Sequence, residues 1–324
     1  MKKVCYIFRD PRIGNYSIEE LFKRIIDGFK DKIENFQYTC KTSRIKTLLQ
    51  IIQLKADIFH ITGDVNYVAW ATPAKKTLLT VHDIGHYENT LQGIKKKVYK
   101  KVWLDLPFRK VRHITAISYF TKERICRNIK INPEKITVIH NPKPDFAYTT
   151  YPEIKDKFCI LQIGSGRNKN LNNLIDAIRD LPDVRLILLR RYDLRLEKRL
   201  QELKIDFEFK SNVTYNEVEK IYAMSHALFF ASEYEGFGMP ILEAQCVGRP
   251  VITSNCTAMP EIAGNGALYV DPKSVIDIKK AVQSLMLNEE LRKMLILNGL
   301  ENVKRFSLEK ILSQYLNLYN AYFD

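Results

Sequence analysis

The sequence predicts an α/β protein built from two successive doubly wound, Rossmann-like units, each a parallel sheet with helices on both faces. Three observations predict this. The 324 residues exceed the ~100 to 200 that usually share one core. Short β-rich runs alternate with longer helical ones, and the alternation breaks once, between residues 141 and 152. A composition of 46% hydrophobic and 27% charged residues, with 13 Gly and 12 Pro, excludes disorder and collagen-like repeats.

The first unit opens with an apolar run at residues 4–8 and an amphipathic helical stretch at 18–29. Strand patterns follow at 58–62 and 77–81, then 114–116 leads into a helix at 119–127, and 136–139 closes the series. This βαβ rhythm argues for a parallel sheet. Asn141-Pro-Lys-Pro-Asp145 and the Tyr-Thr-Thr-Tyr-Pro152 segment supply turn chemistry, placing the domains at 1–148 and 149–305. The second series has strands at 158–163, 184–189, 227–231 and 250–253, and helices at 171–178, 218–224 and 241–246. Residues 306–324 form a tail whose Ile311, Leu312, Tyr315, Leu316 and Tyr319 stand at helical spacing, expected to pack back toward the first domain. The two units are expected to face each other across a cleft, with function in the loops after strands.

The formal charge is +14, and residues 1–150 hold 28 basic against 14 acidic side chains while the remainder holds 23 of each. So lopsided a distribution points to an anionic partner for the first half: nucleic acid, an anionic membrane surface or a phosphorylated acceptor. No nucleic-acid recognition motif accompanies the charge, so nucleic acid is not expected as a partner. Residues 94–113 carry eight Lys or Arg and one acid, interleaved with apolar side chains. Lys95, Lys96, Lys97, Lys100, Lys101 and Trp103 are therefore candidates for a membrane or acceptor surface; the alternative is an ordinary amphipathic helix with Trp103 in the core. The six scattered cysteines show no metal spacing and read as reduced, buried thiols. The opening apolar run is too short for a secretion signal and no stretch reaches the ~18 apolar residues of a spanning helix. A cytoplasmic protein, peripheral on the inner face of the plasma membrane, is expected.

The densest chemistry lies at residues 231–253. An apolar strand runs into the loop Ser232-Glu-Tyr-Glu-Gly-Phe-Gly238, after which Pro240 sits in the first turn of a helix that Gly248 can end. Gly236 and Gly238 strip side chains before a helix N-terminus, where amides can approach negative charge. Glu235 and Glu243 fit two parts of one extended ligand, and carboxylates that accept from sugar and ribose hydroxyls suit a nucleotide-sugar better than a metal. Lys169, after a strand and the Gly164-Ser-Gly166 turn, can meet phosphate oxygens.

The segment Glu235-Gly-Phe-Gly-Met-Pro-Ile-Leu-Glu243, followed by Gly248-Arg-Pro-Val-Ile252, resembles the E-x7-E signature of retaining GT-B glycosyltransferases, in particular glycosyltransferase family 4. Ile163-Gly164 through Lys169-Asn170-Leu171 resembles the family's phosphate loop, and Ala258-Met-Pro-Glu-Ile-Ala-Gly264 with Asp271-Pro272 its following segment. The resemblance implies that Glu235 meets donor sugar hydroxyls and that amides around Phe237, Gly238 and Met239 meet the sugar or diphosphate. It also implies that Glu243 holds the ribose and Lys169 neutralises the diphosphate. The basic residue usual after the first glycine is Ser165 here, so Arg167 either takes over or faces solvent. A glycine common after the next strand is replaced by Arg190-Arg191.

In the first half, Thr77-Leu-Leu-Thr-Val-His82-Asp83 resembles the H-D segment of mannosyltransferase-like members, whose histidine reaches across the cleft to the reacting sugar. The alternative is a surface histidine capping a strand end. His60, Asp64 and His86 on neighbouring turns are expected to be structural, and Ser118 reads as a helix N-cap. Gly14 in the N-terminal loop can admit a ligand backbone-close, with Arg12 near its phosphate, or simply start a helix. No Asp-x-Asp occurs, so no metal or other cofactor is expected. The implied function is a retaining, metal-independent glycosyltransferase moving a sugar from a nucleotide diphosphate sugar donor to a saccharide or lipid-linked acceptor in surface polysaccharide or glycolipid synthesis. The alternatives are a nucleotide-sugar epimerase or phosphorylase on the same fold, or a non-catalytic nucleotide-sugar-binding assembly protein.

Overall fold

The computed structural model describes residues 1–10 and 17–323. The expectations for Gly14 and Arg12 lie outside those residues. The chain divides into one unit formed by Met1–Pro142 with Phe306–Asp324 and a second formed by Lys143–Arg305. The division thus falls inside the Asn141 to Asp145 turn, six residues before the expected boundary, because Thr149 and its neighbours pack on the second unit rather than linking the two.

The N-terminal unit runs β1 (Lys3–Phe8), α1 (Ser17–Gly28), β2 (Glu34–Thr39), α2 (Arg44–Ile52), β3 (Ile58–Ile61), β4 (Thr77–Val81), α3 (Gly93–Tyr99), α4 (Leu106–Lys110), β5 (His113–Ala116), α5 (Tyr119–Asn128) and β6 (Ile136–Val138). All its strands pair in parallel in the order β2-β1-β3-β4-β5-β6. The strand order reverses between β1 and β3, so loops leaving their carboxyl ends border a natural ligand crevice. β1, β3, β4 and β5 are almost wholly buried because helices cover both faces. One face packs on α2 and α4. The other packs on α1 and on the C-terminal helix, whose Ile311, Leu312, Tyr315, Leu318 and Tyr319 are buried. Leu318 rather than Leu316 lies fully in that core, since the buried stripe drifts around a 3.6-residue helix.

His60 sits at the centre of this second face. Its Nδ1 lies 2.8 Å from the Tyr319 hydroxyl and its Nε2 2.7 Å from Thr80 Oγ1, and complete burial pulls its pKa from 6.5 to about 3. It is a satisfied structural histidine. Between pH 6.5 and about 3 the unfolded chain takes up a proton that the folded ring refuses, so stability falls as pH falls through that window. His60→Gln should flatten the pH dependence of the urea unfolding free energy there; an unchanged slope would contradict this reading of the ring.

The C-terminal unit runs β7 (Phe158–Ile163), α6 (Leu171–Ile178), β8 (Val184–Leu189), α7 (Leu194–Glu202), β9 (Asp206–Lys210), α8 (Tyr215–Met224), β10 (Ala227–Phe230), α9 (Met239–Val247), β11 (Val251–Ser254), α10 (Met259–Ala263), β12 (Ala267–Val270), α11 (Val275–Leu287) and α12 (Glu289–Asn302); the terminal α13 (Leu308–Tyr322) returns to the first unit. Its parallel order, β12-β11-β10-β7-β8-β9, reverses between β7 and β10. The loop from β7 to α6 carries Lys169 and the loop from β10 to α9 carries Glu235, so both candidate loops leave the switch-point strands.

α9 is mostly buried because helices α8, α10 and α12 pack around it, with Glu243 and Gln245 its polar side chains. Arg249, 1% exposed, fixes its far end. The guanidinium donates to the carbonyls of Tyr222 (3.1 Å) and Ala223 (2.7 Å) at the end of α8, of Val247 (3.1 Å) and Gly248 (2.9 Å) at the end of α9, and of Thr149 and Thr150. One planar fork thus ties together the carbonyls at two helix C-termini. All six cysteines are free, but only Cys5, Cys40 and Cys246 are buried; Cys126, Cys159 and Cys256 are partly exposed. Among the described residues no helix is long and apolar enough to cross a membrane, and no group of three His, Cys, Asp or Glu stands ready to hold a metal ion.

Candidate active site

The β10–α9 loop is shaped by its glycines and by ties to the β7–α6 loop. Gly238 has φ 115° and precedes Met239 as the helix N-cap; a Cβ there would lie 2.9 Å from Met259 Cε and 3.2 Å from Ile241 Cδ1. Only glycine fits that conformation and that space. Phe237 is buried at 4% exposure, so this residue can offer its backbone but not its ring to a ligand. Glu233 N donates to Asn168 O at 2.9 Å, and Asn168 Nδ2 donates to Tyr234 O and to Glu235 Oε1, each at 3.0 Å. These bonds join the two switch-point loops.

Glu235 Oε1 also accepts from Lys169 Nζ at 2.5 Å. Lys169 reaches it across Gly164, whose φ of 95° and missing Cβ leave room: an added Cβ would stand 3.0 Å from Lys169 Cε. The ammonium lies 4.6 Å over the Phe230 ring, a second favourable contact for a desolvated cation. Glu235 Oε2 has no hydrogen-bond partner among the described residues, leaving an acceptor for hydroxyl groups. Sequence reading placed Glu235 and Lys169 in one site but did not foresee that they bind each other.

Glu243, one turn into α9, accepts through Oε2 from the Tyr222 hydroxyl at 2.7 Å. Burial pushes its carboxyl above the ordinary range, and the Tyr222 bond offsets part of that rise. Its Oε1 remains unpartnered among the described residues, so one oxygen is fixed and the other is presented. Tyr222 was not foreseen; its place in α8, a strand away in sequence, gives no local signal. Arg167 lies in the helical turn Arg167–Lys169, exposed and without a carboxylate partner among the described residues.

In the N-terminal unit, His82 directly follows β4. Its Nε2 lies 2.8 Å from Thr62 O, which can only accept, so Nε2 carries the proton and Nδ1 is left as a lone-pair acceptor. Burial pulls its pKa below 6.5, only partly opposed by the Thr62 carbonyl and by Asp83, so the ring is neutral at neutral pH. Ser118 caps α5, accepting from Thr121 N at 3.0 Å. Asp64 is exposed beside Arg9 at 3.8 Å, and the His86 ring meets Tyr99 edge-on.

The same unit holds a cavity of about 790 Å³. Its lining includes Arg44, Tyr67 and Trp103 together with Ile94, Val98 and Val102. Trp103 does not project outward as a membrane anchor: its ring meets Tyr67 and stacks on Tyr99, the Arg44 guanidinium lies 4.8 Å over it, and Nε1 donates to Asp64 O at 3.2 Å. Lys96 is likewise engaged, donating to Glu88 O and lying over Tyr87. What the segment presents instead is Ile94, Val98, Val102 and Leu106, exposed at a four-residue spacing, beside Lys95, Lys97 and Lys101, which are exposed, and half-buried Lys100.

Residues 29–142 match the family model described as Glycosyltransferase Family 4, and residues 150–302 match that described as Glycosyl transferases group 1. The O-antigen chain mannosyltransferase RfbU of Salmonella typhimurium is 32% identical over 222 residues, covering 65% of this chain and 60% of that protein. O-antigen chain mannosyltransferase B of Escherichia coli is 37% identical over 99 residues, 31% of this chain and 26% of that protein. The chain therefore spans 60% or less of the length of these curated relatives. Among solved structures, Anabaena Alr3699/HepE in complex with UDP and glucose superposes with a TM-score of 0.83 at 16% identity, covering 99% of this chain and 100% of that one, a likeness of fold.

Proposed function

We propose that this chain, which belongs to the GT-B glycosyltransferases of the family 4 type, moves a sugar from a nucleotide diphosphate donor to a saccharide or lipid-linked acceptor in surface polysaccharide or glycolipid synthesis. The observation that carries this reading is the pair of half-satisfied carboxylates on the switch-point loop and helix: Glu235 and Glu243 each have one oxygen fixed by the protein and one presented. Such acceptors match the hydroxyls of a sugar and of a ribose. The relatives' names make mannose the first sugar to test.

The reaction is read as retaining and metal-independent. The bond from sugar C1 to the β-phosphate oxygen breaks, the acceptor oxygen bonds to C1 on the same face, and the acceptor proton passes to the leaving phosphate. Products are a glycoside and a nucleoside diphosphate. The protein contributes position and charge: Glu235 orients sugar hydroxyls, the amides at Phe237 to Met239 face the donor, Glu243 holds the ribose, and Lys169 locks Glu235. His82 is assigned a hydrogen bond to the reacting sugar through its unprotonated Nδ1. Incubation with UDP-, GDP- and ADP-sugars and a saccharide or lipid-linked acceptor should release nucleoside diphosphate in step with glycoside. Isomerised donor without release would mark an epimerase, and binding without turnover an assembly protein; either overturns the reading.

The protein works as a peripheral protein on the inner face of the plasma membrane, held by the exposed Ile94, Val98, Val102 and Leu106 stripe and its lysines. Each basic side chain near anionic lipid adds ~1 kcal/mol. Co-sedimentation with phosphatidylglycerol vesicles should exceed that with phosphatidylcholine vesicles and be lost in Ile94→Glu with Val98→Glu. Equal sedimentation of variant and parent would contradict it.

A further inference from the structure

The lysines beside the stripe at 94–106 take up only part of the positive charge of the N-terminal unit. A second concentration lies at the other end of the sheet from His82, where β4, β5 and β6 begin. A cavity of about 530 Å³ opens there, lined by Lys75, Lys110, Arg112 and Lys135, with Glu134 its one acid among the described residues. The five residues of β4 hold it roughly 16 Å from His82. It is therefore separate from the place assigned to the reacting sugar.

These cations are held in place by carbonyls and not by carboxylates. Lys110 Nζ donates to Trp70 O at 2.9 Å, Lys135 Nζ to Arg109 O at 2.7 Å, and Arg112 Nε to Tyr322 O at 3.4 Å. None of the four cations forms an ion pair among the described residues. Lys110 and Lys135 are half-buried, and burial lowers the pKa of each; the charge of Arg112 lowers that of Lys135 further. The His113 ring stacks 3.9 Å from that of Tyr322. Burial, then the charges of Lys135, Arg112 and Lys122, draw its pKa down to about 4, so it adds no charge at neutral pH. The carbonyl ends of α4 and α13 offset at most about half a charge each. With Glu134 counted as well, roughly two of the four positive charges stay unbalanced. Like charges fixed this close in a partly desolvated cleft repel, and an anion relieves the repulsion.

We propose that this cleft, at the amino ends of β4, β5 and β6, is an anion site that takes a phosphate-bearing ligand across Lys75, Arg112 and Lys135. The exposed Arg112 keeps both Nη atoms free of hydrogen bonds among the described residues, and that fork suits two oxygens of one phosphate. Because Arg112 also holds Tyr322, the last residue of α13, occupancy steadies the C-terminal helix on the N-terminal unit. The site is independent of the nucleotide-sugar reading. A soluble phosphate ester and a lipid headgroup offer it the same chemistry.

Amide hydrogen exchange of the whole chain tests this, with inorganic pyrophosphate as one probe and vesicles containing phosphatidic acid as the other. Exchange at 132–137 and 318–323 should slow about tenfold when the probe stands at ten times its dissociation constant. Arg112→Met with Lys135→Met should raise the dissociation constant read this way about ten- to a hundredfold, while Arg112→Lys keeps part of the affinity. Lys155→Met, an exposed lysine outside the cleft, is the control. Thermal unfolding checks each variant, and Lys75→Met, at an exposed position, replaces the double variant should that not fold. Slowing by pyrophosphate assigns the site to a soluble phosphate, and slowing by vesicles alone assigns it to a lipid headgroup; either supports the site. Slowing by neither probe, slowing confined to the loops at 164–170 and 231–238, or parental slowing in the charge variants overturns it.

Discussion

Glu235→Gln should bind nucleoside diphosphate almost as the parent does and lose sugar transfer by roughly a thousandfold. The neutral amide keeps the volume of the side chain and one carbonyl oxygen, but it removes the charge that holds Lys169 and puts an NH2 group in place of one of the two acceptor oxygens. The ammonium, released from its 2.5 Å partner, no longer fixes the loop. Steady-state kinetics should show the loss in kcat rather than in nucleotide affinity, since the ribose and phosphates are held by other residues. A variant with full kcat would remove Glu235 from the reaction.

Arg249→Met should cost at least about 3 kcal/mol of unfolding free energy, read from urea denaturation. The substitution keeps a long apolar stem yet leaves the carbonyls of Ala223, Gly248, Thr149 and Thr150 without their donor, and takes one donor from those of Tyr222 and Val247, which Ser225 N and Thr149 N still serve. Burial draws the guanidinium pKa down to about 10, so the group is still charged at neutral pH and its bonds are charge-assisted. Arg249→Lys should recover only part of the loss, because an ammonium has three donors on one atom and cannot span two helix ends. Donor binding should weaken with stability, since α8 carries Tyr222, α9 carries Glu243, and the two meet at 2.7 Å. Stability equal to the parent would show that water can replace the fork.

Much of this architecture was legible in the residues. The central strands β1, β3, β4, β7, β8 and β10 are apolar runs because helices cover both of their faces, and such runs stand out in a sequence. Edge strands were harder. β2, with the sequence Glu-Asn-Phe-Gln-Tyr-Thr, meets solvent on one side, and the four-residue β12 is too short to show a period. The loops at 164–170 and 231–238 could be placed because glycines with φ of 95° and 115° interrupt the pattern where the backbone must turn. Partnerships formed through space left no local trace: Tyr222 on Glu243, Asn168 on Glu235, and the cation-lined cleft that gathers the starts of three strands. Trp103 shows the converse. Its basic, amphipathic surroundings favoured a membrane anchor, whereas Tyr67, Tyr99 and Arg44 enclose its ring from distant or successive turns.

The central claim is that a nucleotide diphosphate sugar binds at the β7–β10 switch point of the C-terminal unit. A co-crystal structure with GDP-mannose or UDP-glucose tests it most directly. The account predicts ribose hydroxyls on Glu243 Oε1, sugar hydroxyls on Glu235, and phosphates beside the loops after β7 and β8. A nucleotide bound elsewhere on the chain, with both carboxylates facing no ligand, would contradict it.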